Sequence, residues 1–146
     1  MTRILCLDDE PEILKLLRAI LEASGYECSC TVDSHEALTL LHTRSIDLLI
    51  QDMLRPDIRG EVMCQMIKDD ESLRHIPIVI ASAYIDGGKR MVVEGYADAF
   101  VSHPLGPSEL LDAVENTLRK HSIPLPPEEA RARMRNRQRH PGEAKP

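Results

Sequence analysis

Residues 4–10 read ILCLDDE, so four apolar residues are followed at once by three acids, beginning with Asp8 and Asp9. Residues 47–52 read DLLIQD, in which a second apolar run ends at Asp52. Short apolar runs of this kind are typical of buried strands. If both runs are parallel strands of one sheet, their carboxyl ends bring three carboxylates into one crevice, where open α/β sheets bind ligands.

A cluster of three carboxylates has an electrostatic cost. Two unit charges about 4 Å apart repel by about 4 kcal/mol at an effective dielectric constant near 20. A site of this kind must therefore take up protons or hold a cation. The sequence predicts a chemical site at these two strand ends as well as a fold.

The rest of the chain alternates between helix and strand patterns. Pro11 begins a helix that ends before Gly25, and Asp33 with Glu36 has the spacing of a capping box. Two adjacent glycines weaken the fourth helix. Five strand–helix pairs predict an α/β fold with one five-stranded parallel sheet, a doubly wound (βα)5 arrangement. The predicted strands are 4–7, 26–32, 47–51, 76–81 and 99–102, and the predicted helices are 11–24, 33–43, 62–67, 89–94 and 107–118.

Composition and charge limit the class of protein. The chain has 146 residues, 42% of them hydrophobic, with one Phe, three Tyr and no Trp, which predicts one domain with an aliphatic core. The net charge is −6, divided into −9 for residues 1–120 and +3 for residues 121–146. Because the body is acidic, we expect no direct binding to DNA.

The C-terminal segment differs from the body in composition. We divide the chain into a domain at 1–121 and a Pro- and Arg-rich tail at 122–146. Arginines occupy every second position from Arg131 to Arg139, and apolar residues are few. We therefore expect a flexible, solvated tail. An electrostatic arm for an acidic partner is the alternative.

The four cysteines lie within apolar stretches, and no signal peptide precedes them. We therefore expect a cytoplasmic protein without a disulfide framework. Cys28 and Cys30 share one face of a predicted strand. Core packing is favoured for this pair because no second Cys or His pair has ligand spacing, and a redox or metal role is the alternative. The apolar runs are far shorter than the ~20 residues that span a bilayer, so we expect no membrane segment.

Polar residues also follow the last two predicted strands. Ser82 lies at the end of IPIVIASA, and His103 lies near the end of DAFVSHPL. Together with the two acidic strand ends, this order of motifs resembles the receiver domain of two-component response regulators, the CheY-like superfamily. The resemblance covers residues 3–120. It implies a flavodoxin-like fold, a bound Mg²⁺ and phosphorylation by a histidine kinase or a histidine phosphotransfer protein.

The resemblance implies a role for each acid. Asp8, Asp9 and Asp52 would bind Mg²⁺ together with the backbone carbonyl of Leu54, and Asp52 would accept the phosphoryl group. Mg²⁺ prefers oxygen ligands and neutralises charge as an anionic phosphoryl group approaches an anionic nucleophile. The alternatives are helix N-capping by Asp8 or Asp9 and a structural role for Asp52 at the start of a loop.

The resemblance also implies a switch. Ser82 would contact the phosphoryl group, Phe100 would change rotamer when Ser82 moves, and the peptide bond before Pro104 would be cis. The alternatives are that Ser82 satisfies backbone groups and that Phe100 is a core residue. His103 departs from the family, which almost always has lysine at this position. Because imidazole titrates at about pH 6.5 when unperturbed, His103 is either a pH-dependent cation or a neutral hydrogen-bonding residue.

We interpret the chain as a stand-alone phosphoacceptor switch that signals through partner binding. The face built from the fourth helix, fifth strand and fifth helix would contact a downstream protein or, in a homodimer, a second copy. The alternative is a pseudo-receiver that binds proteins while His103 impairs switching. An enzyme is disfavoured: a dehalogenase-like phosphatase would carry its second aspartate two residues after the first, and a flavodoxin would need a phosphate-cradling loop in place of LDDEP.

Overall fold

Strands and helices alternate along the chain from residue 3 to residue 120, and one further helix follows. The computed structural model describes residues 1–103 and 106–139, the last five as backbone only, so the predicted cis bond before Pro104 lies outside the described residues. None of the helices in the described ranges combines the length and apolar character that a membrane span needs.

The strands are β1 (Arg3–Leu7), β2 (Glu27–Thr31), β3 (Leu48–Gln51), β4 (Ile78–Ser82) and β5 (Ala99–Ser102). The helices are α1 (Pro11–Ala23), α2 (Ser34–Thr43), α3 (Gly60–Asp69), α4 (Ile85–Val93), α5 (Pro107–Lys120) and α6 (Glu128–Arg139).

The five strands form one parallel sheet in the order β2-β1-β3-β4-β5, which confirms the predicted fold class. Leu7 of β1 is paired with Gln51 of β3. The residues that follow this pair, Asp8 and Asp52, therefore leave the sheet side by side. The strand order reverses at β1, and the crevice beyond β1 and β3 is the topological switch point of a doubly wound sheet.

Helices cover both faces of the sheet. Ile4 and Cys6 of β1 belong to an apolar cluster under α1 and α5, whereas Leu5 and Leu7 belong to a second cluster under α2, α3 and α4. All four side chains are almost fully buried. A strand buried on both faces has a continuous apolar run, which is why ILCL does not alternate with polar residues.

Local signals place the helix starts. Pro11 is the first residue of α1, and α5 begins at Pro107 as predicted. Asp33 caps α2, because its carboxylate accepts hydrogen bonds from the backbone N–H groups of His35 at 2.8 Å and Glu36 at 3.2 Å. These starts follow from short-range chemistry and needed no tertiary contact.

Helix α4 is longer at its start than the sequence predicts. The prediction begins at Lys89 because glycine in a helix costs about 1 kcal/mol relative to alanine, yet α4 spans Ile85–Val93 and contains Gly87 and Gly88. Both glycines are buried, and a Cβ at Gly88 would lie 2.2 Å from Cδ1 of Phe100. Close packing of α4 on β5 therefore outweighs helix propensity.

A sixth helix lies where the sequence predicts a flexible tail. Ile123, Leu125 and Met134 pack against the cluster under α1 and α5, and Ala130 is 7% exposed. The segment has few apolar residues, but these residues pack against the cluster under α1 and α5. The structure therefore differs from the prediction between Ile123 and Met134.

A glycine after α1 leaves space for this segment. Gly25 has φ +93°, and a Cβ there would lie 2.9 Å from the Cβ atoms of both Ala130 and Pro126. Arg131 Nε donates a hydrogen bond to the carbonyl of Pro126 at 3.0 Å, and its Nη1 lies 3.5 Å from Glu115 Oε1. Glycine at this position thus ends α1 and also allows α6 to approach.

Candidate functional site

The structure brings Asp8, Asp9 and Asp52 together at the carboxyl ends of β1 and β3. Each of the three offers a carboxylate oxygen, and these oxygens lie within 4.8 Å of one another. The backbone N–H of Asp52 donates to the carbonyl of Leu7 at 3.1 Å, so parallel pairing continues one residue past β3. The convergence expected from the two apolar runs is therefore present.

Asp8 is the most buried of the three acids, at 2% exposed. Its Oδ1 accepts a hydrogen bond from the backbone N–H of Glu10 at 2.9 Å. Burial raises the pKa of Asp8 from 3.8 to about 7, and the charges of Asp52 and Asp9 contribute to the increase. Hard oxygen donors with excess negative charge are the ligands that Mg²⁺ prefers, so the residues present fit this ion.

One pocket of about 160 Å³ contains most of the predicted site residues. It is open to solvent on the side where Asp9 and Leu54 are exposed, and it is closed on the other side by buried side chains. Its lining includes Asp8, Asp9, Asp52, Leu54, Ser82 and His103.

Ser82 and His103 lie at the ends of β4 and β5. The Oγ of Ser82 is buried and accepts a hydrogen bond from the backbone N–H of Tyr84 at 3.1 Å. The backbone N–H of His103 donates to the carbonyl of Ser82 at 3.2 Å, which fixes the two residues side by side. The Nε2 atom of His103 is buried without a hydrogen-bond partner among residues 1–103 and 106–139.

Phe100 lies apart from the residues that line the pocket. It is partly buried in the cluster under α2, α3 and α4, and its ring contacts α4 at Gly88. The ring therefore lies between β5 and the helix that follows Ser82. This position is compatible with both sequence interpretations of Phe100, as a core residue and as a switch residue.

Arg55 is a residue of this region that the sequence analysis missed. Its side chain is fully buried, and its guanidinium donates to the backbone carbonyl of Asp52 and, through Nε, to Ser34 Oγ at 3.2 Å. Asp57 accepts from the backbone N–H of Ser34 at 2.7 Å and lies 3.9 Å from the guanidinium. Burial lowers the pKa of Arg55, and Asp57 and Asp52 oppose that effect. The sequence shows an arginine three residues after Asp52, but it does not show that this arginine is buried.

Comparison with known protein families supports this description. A family model of the response regulator receiver domain matches residues 4–115. The chain belongs to this family. Among curated relatives of this receiver, the polar-differentiation response regulator DivK of Brucella ovis is 32% identical over 120 residues, which cover 81% of this chain and 98% of DivK. DivK of Brucella anthropi is 30% identical over 116 residues, which cover 79% of this chain and 94% of DivK.

Solved receiver structures have the same fold. The response regulator TrrA from Thermotoga maritima, in complex with Mg²⁺-BeF, matches with a TM-score of 0.73 and 30% identity over 81% of this receiver and 100% of TrrA. A response regulator receiver domain protein from Clostridium thermocellum matches with a TM-score of 0.75 and 27% identity over 84% of this receiver and 98% of that chain.

Membership of the family establishes the general class of activity. Receiver domains are switches of two-component signal transduction rather than conventional enzymes, and they interact with kinases and with downstream targets. They typically bind Mg²⁺ at an acidic pocket and are typically phosphorylated. The acidic pocket of this receiver is the one formed by Asp8, Asp9 and Asp52.

Proposed function

We propose that this receiver is a phosphorylation switch in which Asp52 accepts a phosphoryl group from the histidine of a kinase or of a phosphotransfer protein. The observation that carries this proposal is the convergence of three carboxylate oxygens within 4.8 Å in one open pocket. Because the match covers 98% of the DivK sequence, we infer that this receiver acts as a stand-alone switch. Its free cysteines favour a reducing, cytoplasmic setting.

The acidic residues have two tasks in this proposal. Asp8, Asp9, Asp52 and the carbonyl of Leu54 would hold Mg²⁺, which when bound offsets the negative charge of the incoming phosphoryl group. Asp52 is only half-buried, so a large phosphodonor can reach its carboxylate. Its Oδ1 accepts from the N–H of Met53 at 2.8 Å, which orients the carboxylate group.

Phosphoryl transfer makes Asp52 the covalent carrier. A carboxylate oxygen of Asp52 attacks phosphorus, and the bond between phosphorus and the donor histidine nitrogen breaks. The electron pair of that bond stays on the nitrogen, which then takes a proton from water. The product is an acyl phosphate, which divides the overall transfer into two easier steps.

The contacts of Ser82 suggest how phosphorylation reaches the surface. If the Ser82 hydroxyl turns to the phosphoryl group, it releases the N–H of Tyr84, the residue just before α4. Helix α4 packs on the ring of Phe100 through Gly88. A change in the hydrogen bond of Ser82 therefore alters the packing of α4 on β5.

The face built from α4, β5 and α5 is the proposed output surface. Ile85 is 45% exposed and Val93 is 85% exposed, so α4 presents apolar side chains to solvent. Such side chains suit a downstream protein or a second copy of the receiver. We propose a protein partner rather than DNA because the body of the receiver is acidic.

The presence of His103 in place of lysine favours a second candidate function, that of a pseudo-receiver. The short side chain of His103 stands where the family has lysine, and its buried Nε2 has no partner among the residues that the structure describes. If this imidazole cannot replace the cation, the protein is a pseudo-receiver, a binding module whose shape does not respond to phosphorylation.

Phosphorylation of the purified protein tests the proposal. The protein would be incubated with Mg²⁺ and acetyl phosphate, and its intact mass would be recorded. We expect one added phosphoryl group in the wild type and in the control Asp112→Asn, since Asp112 is exposed on α5. We expect none in Asp52→Asn. A wild type that gains no mass contradicts the phosphorylation switch, and mass gained by Asp52→Asn contradicts the assignment of Asp52.

A further inference from the structure

Three cysteines meet under α1 at one edge of the sheet, outside the acidic pocket. Cys6 of β1 and Cys30 of β2 are paired positions on neighbouring strands. Cys28 precedes Cys30 by two residues and therefore lies on the same face of β2. All three are free thiols. The sequence shows Cys28 and Cys30 as a pair, and only the fold adds the third member.

The separations of the three sulfur atoms match those of ligands around one metal ion. The Sγ of Cys28 lies 3.6 Å from that of Cys6 and 3.8 Å from that of Cys30, and all three lie within 4.8 Å of one another. Tetrahedral coordination with Zn–S bonds of about 2.3 Å places neighbouring sulfurs about 3.8 Å apart. The thiols are thus spaced for coordination with little rearrangement.

We propose that Cys6, Cys28 and Cys30 bind one thiophilic d¹⁰ cation, Zn²⁺ or Cu⁺, through three thiolates. Thiolate ligands select these ions, whereas Mg²⁺ takes oxygen ligands. This sulfur site is therefore separate in its chemistry from the acidic pocket, and it does not depend on the function proposed above.

Burial and charge at the sulfur site suit such an ion. Cys6 is 0% and Cys28 7% exposed, whereas Cys30 is only partly buried on β2, which is an edge strand. An ion can therefore enter past Cys30 and become shielded from water beside Cys6. Arg18 donates from Nη1 to the backbone carbonyl of Cys28 at 3.1 Å, so its positive charge offsets part of the charge of three thiolates.

Metal titration of the full chain tests the sulfur site. Reduced, metal-free protein with excess Mg²⁺ would be titrated anaerobically with Zn²⁺, with Cu⁺, and with Cd²⁺ as a spectroscopic substitute for Zn²⁺. We expect thiolate-to-metal charge-transfer absorption that saturates at about one ion per chain. Competition with a zinc chelator and with a cuprous chelator then shows which of the two ions binds more tightly.

Two cysteine variants make this test specific. We expect Cys30→Ser to weaken binding by about tenfold or more. We expect Cys64→Ser to bind like the wild type, because Cys64 is a buried residue of α3 on the other face of the sheet, where Gln51 donates a hydrogen bond to its sulfur. Absence of charge-transfer absorption, or equal binding by Cys30→Ser and the wild type, overturns the proposal.

X-ray absorption of the zinc-loaded wild type gives a second readout that needs no variant. We expect about three sulfur neighbours at about 2.3 Å from zinc. A shell made only of nitrogen and oxygen overturns the proposal even if Cys30→Ser fails to fold. Loss of the sulfur site would leave phosphorylation of Asp52 untouched, so the two proposals fail separately.

Discussion

At the scale of the residue, Asp8 has the most strongly perturbed acid–base chemistry of the acidic pocket. It lies 2% exposed beside two other acids, and its pKa is raised to about 7. A group with this pKa changes its charge within the physiological range. The charge of the acidic pocket therefore changes with pH in the range around pH 7.

Magnesium affinity should rise with pH. Below about pH 7 the ion must displace a proton from Asp8, whereas above it the carboxylate is already charged. We expect the association constant of Mg²⁺, measured by calorimetry, to be about tenfold higher at pH 8 than at pH 6. Asp8→Asn should bind more weakly, with little pH dependence. Equal wild-type affinity at both pH values would show that Asp8 does not titrate there.

Without a divalent ion, Asp8→Asn should be more stable than the wild type at pH 8. Because the pKa of Asp8 is higher in the folded state than the unfolded value of 3.8, its stabilising effect is complete below pH 3.8 and is lost as pH rises through about 7. Allowing for solvent in the pocket, we expect a gain of about 1–2 kcal/mol in the free energy of unfolding. Urea unfolding with chelator would measure it, and the two proteins should differ little near pH 4.

At the scale of the element, Arg55 holds the loop between β3 and α3. Its guanidinium connects the carbonyl of Asp52 with Ser34 at the start of α2, and Asp57 lies beside both. A buried cation with these partners ties the phosphoacceptor loop to a neighbouring helix. This contact positions the backbone of Asp52.

Replacing Arg55 by methionine should destabilise the protein by about 2–3 kcal/mol in urea unfolding. The variant leaves the carbonyl of Asp52 and the Oγ of Ser34 without their buried donor, and a buried acceptor without a partner is costly. Arg59→Met is the matched control: Arg59 is exposed, and its partner Glu61 keeps Arg90 within 3.8 Å, so we expect a change within about 0.5 kcal/mol. Equal effects of the two substitutions would contradict the structural role of Arg55.

At the scale of the whole molecule, α6 extends the body beyond the residues that the family model matches, 4–115. It packs on the α1 and α5 side, opposite the cluster under α2, α3 and α4. We propose that residues 1–121 form the switch and that residues 122–134 support its α1 and α5 side.

Ala130→Glu should detach α6, whereas Ala132→Glu should not. Ala130 is 7% exposed and faces Gly25, so a carboxylate there would be buried or would force the helix away. Ala132 is less buried. We expect Ala130→Glu to lose about 1–2 kcal/mol of stability and to exchange the amide hydrogens of α6 faster. Similar exchange in both variants would mean that α6 does not depend on this contact.

Local chemistry accounts for what could be predicted from residues 1–120. Buried strands have continuous apolar runs, and Pro11, Asp33 and Pro107 place helix starts through interactions within a few residues. The strict alternation of these elements implies a parallel sheet, and a parallel sheet implies that Asp8 and Asp52 emerge together. Fold and acidic pocket therefore followed from the order of residues.

Long-range contacts account for the rest. Arg55 is buried because Ser34 and Asp57 contact its guanidinium. Helix α6 packs on the body because Gly25 leaves room for Ala130, and α4 accommodates Gly88 because Phe100 packs against it. The meeting of Cys6 with Cys28 and Cys30 likewise needs the pairing of β1 with β2. No local pattern contains these contacts, since their free energy arises between side chains that are distant in the chain and adjacent only after folding.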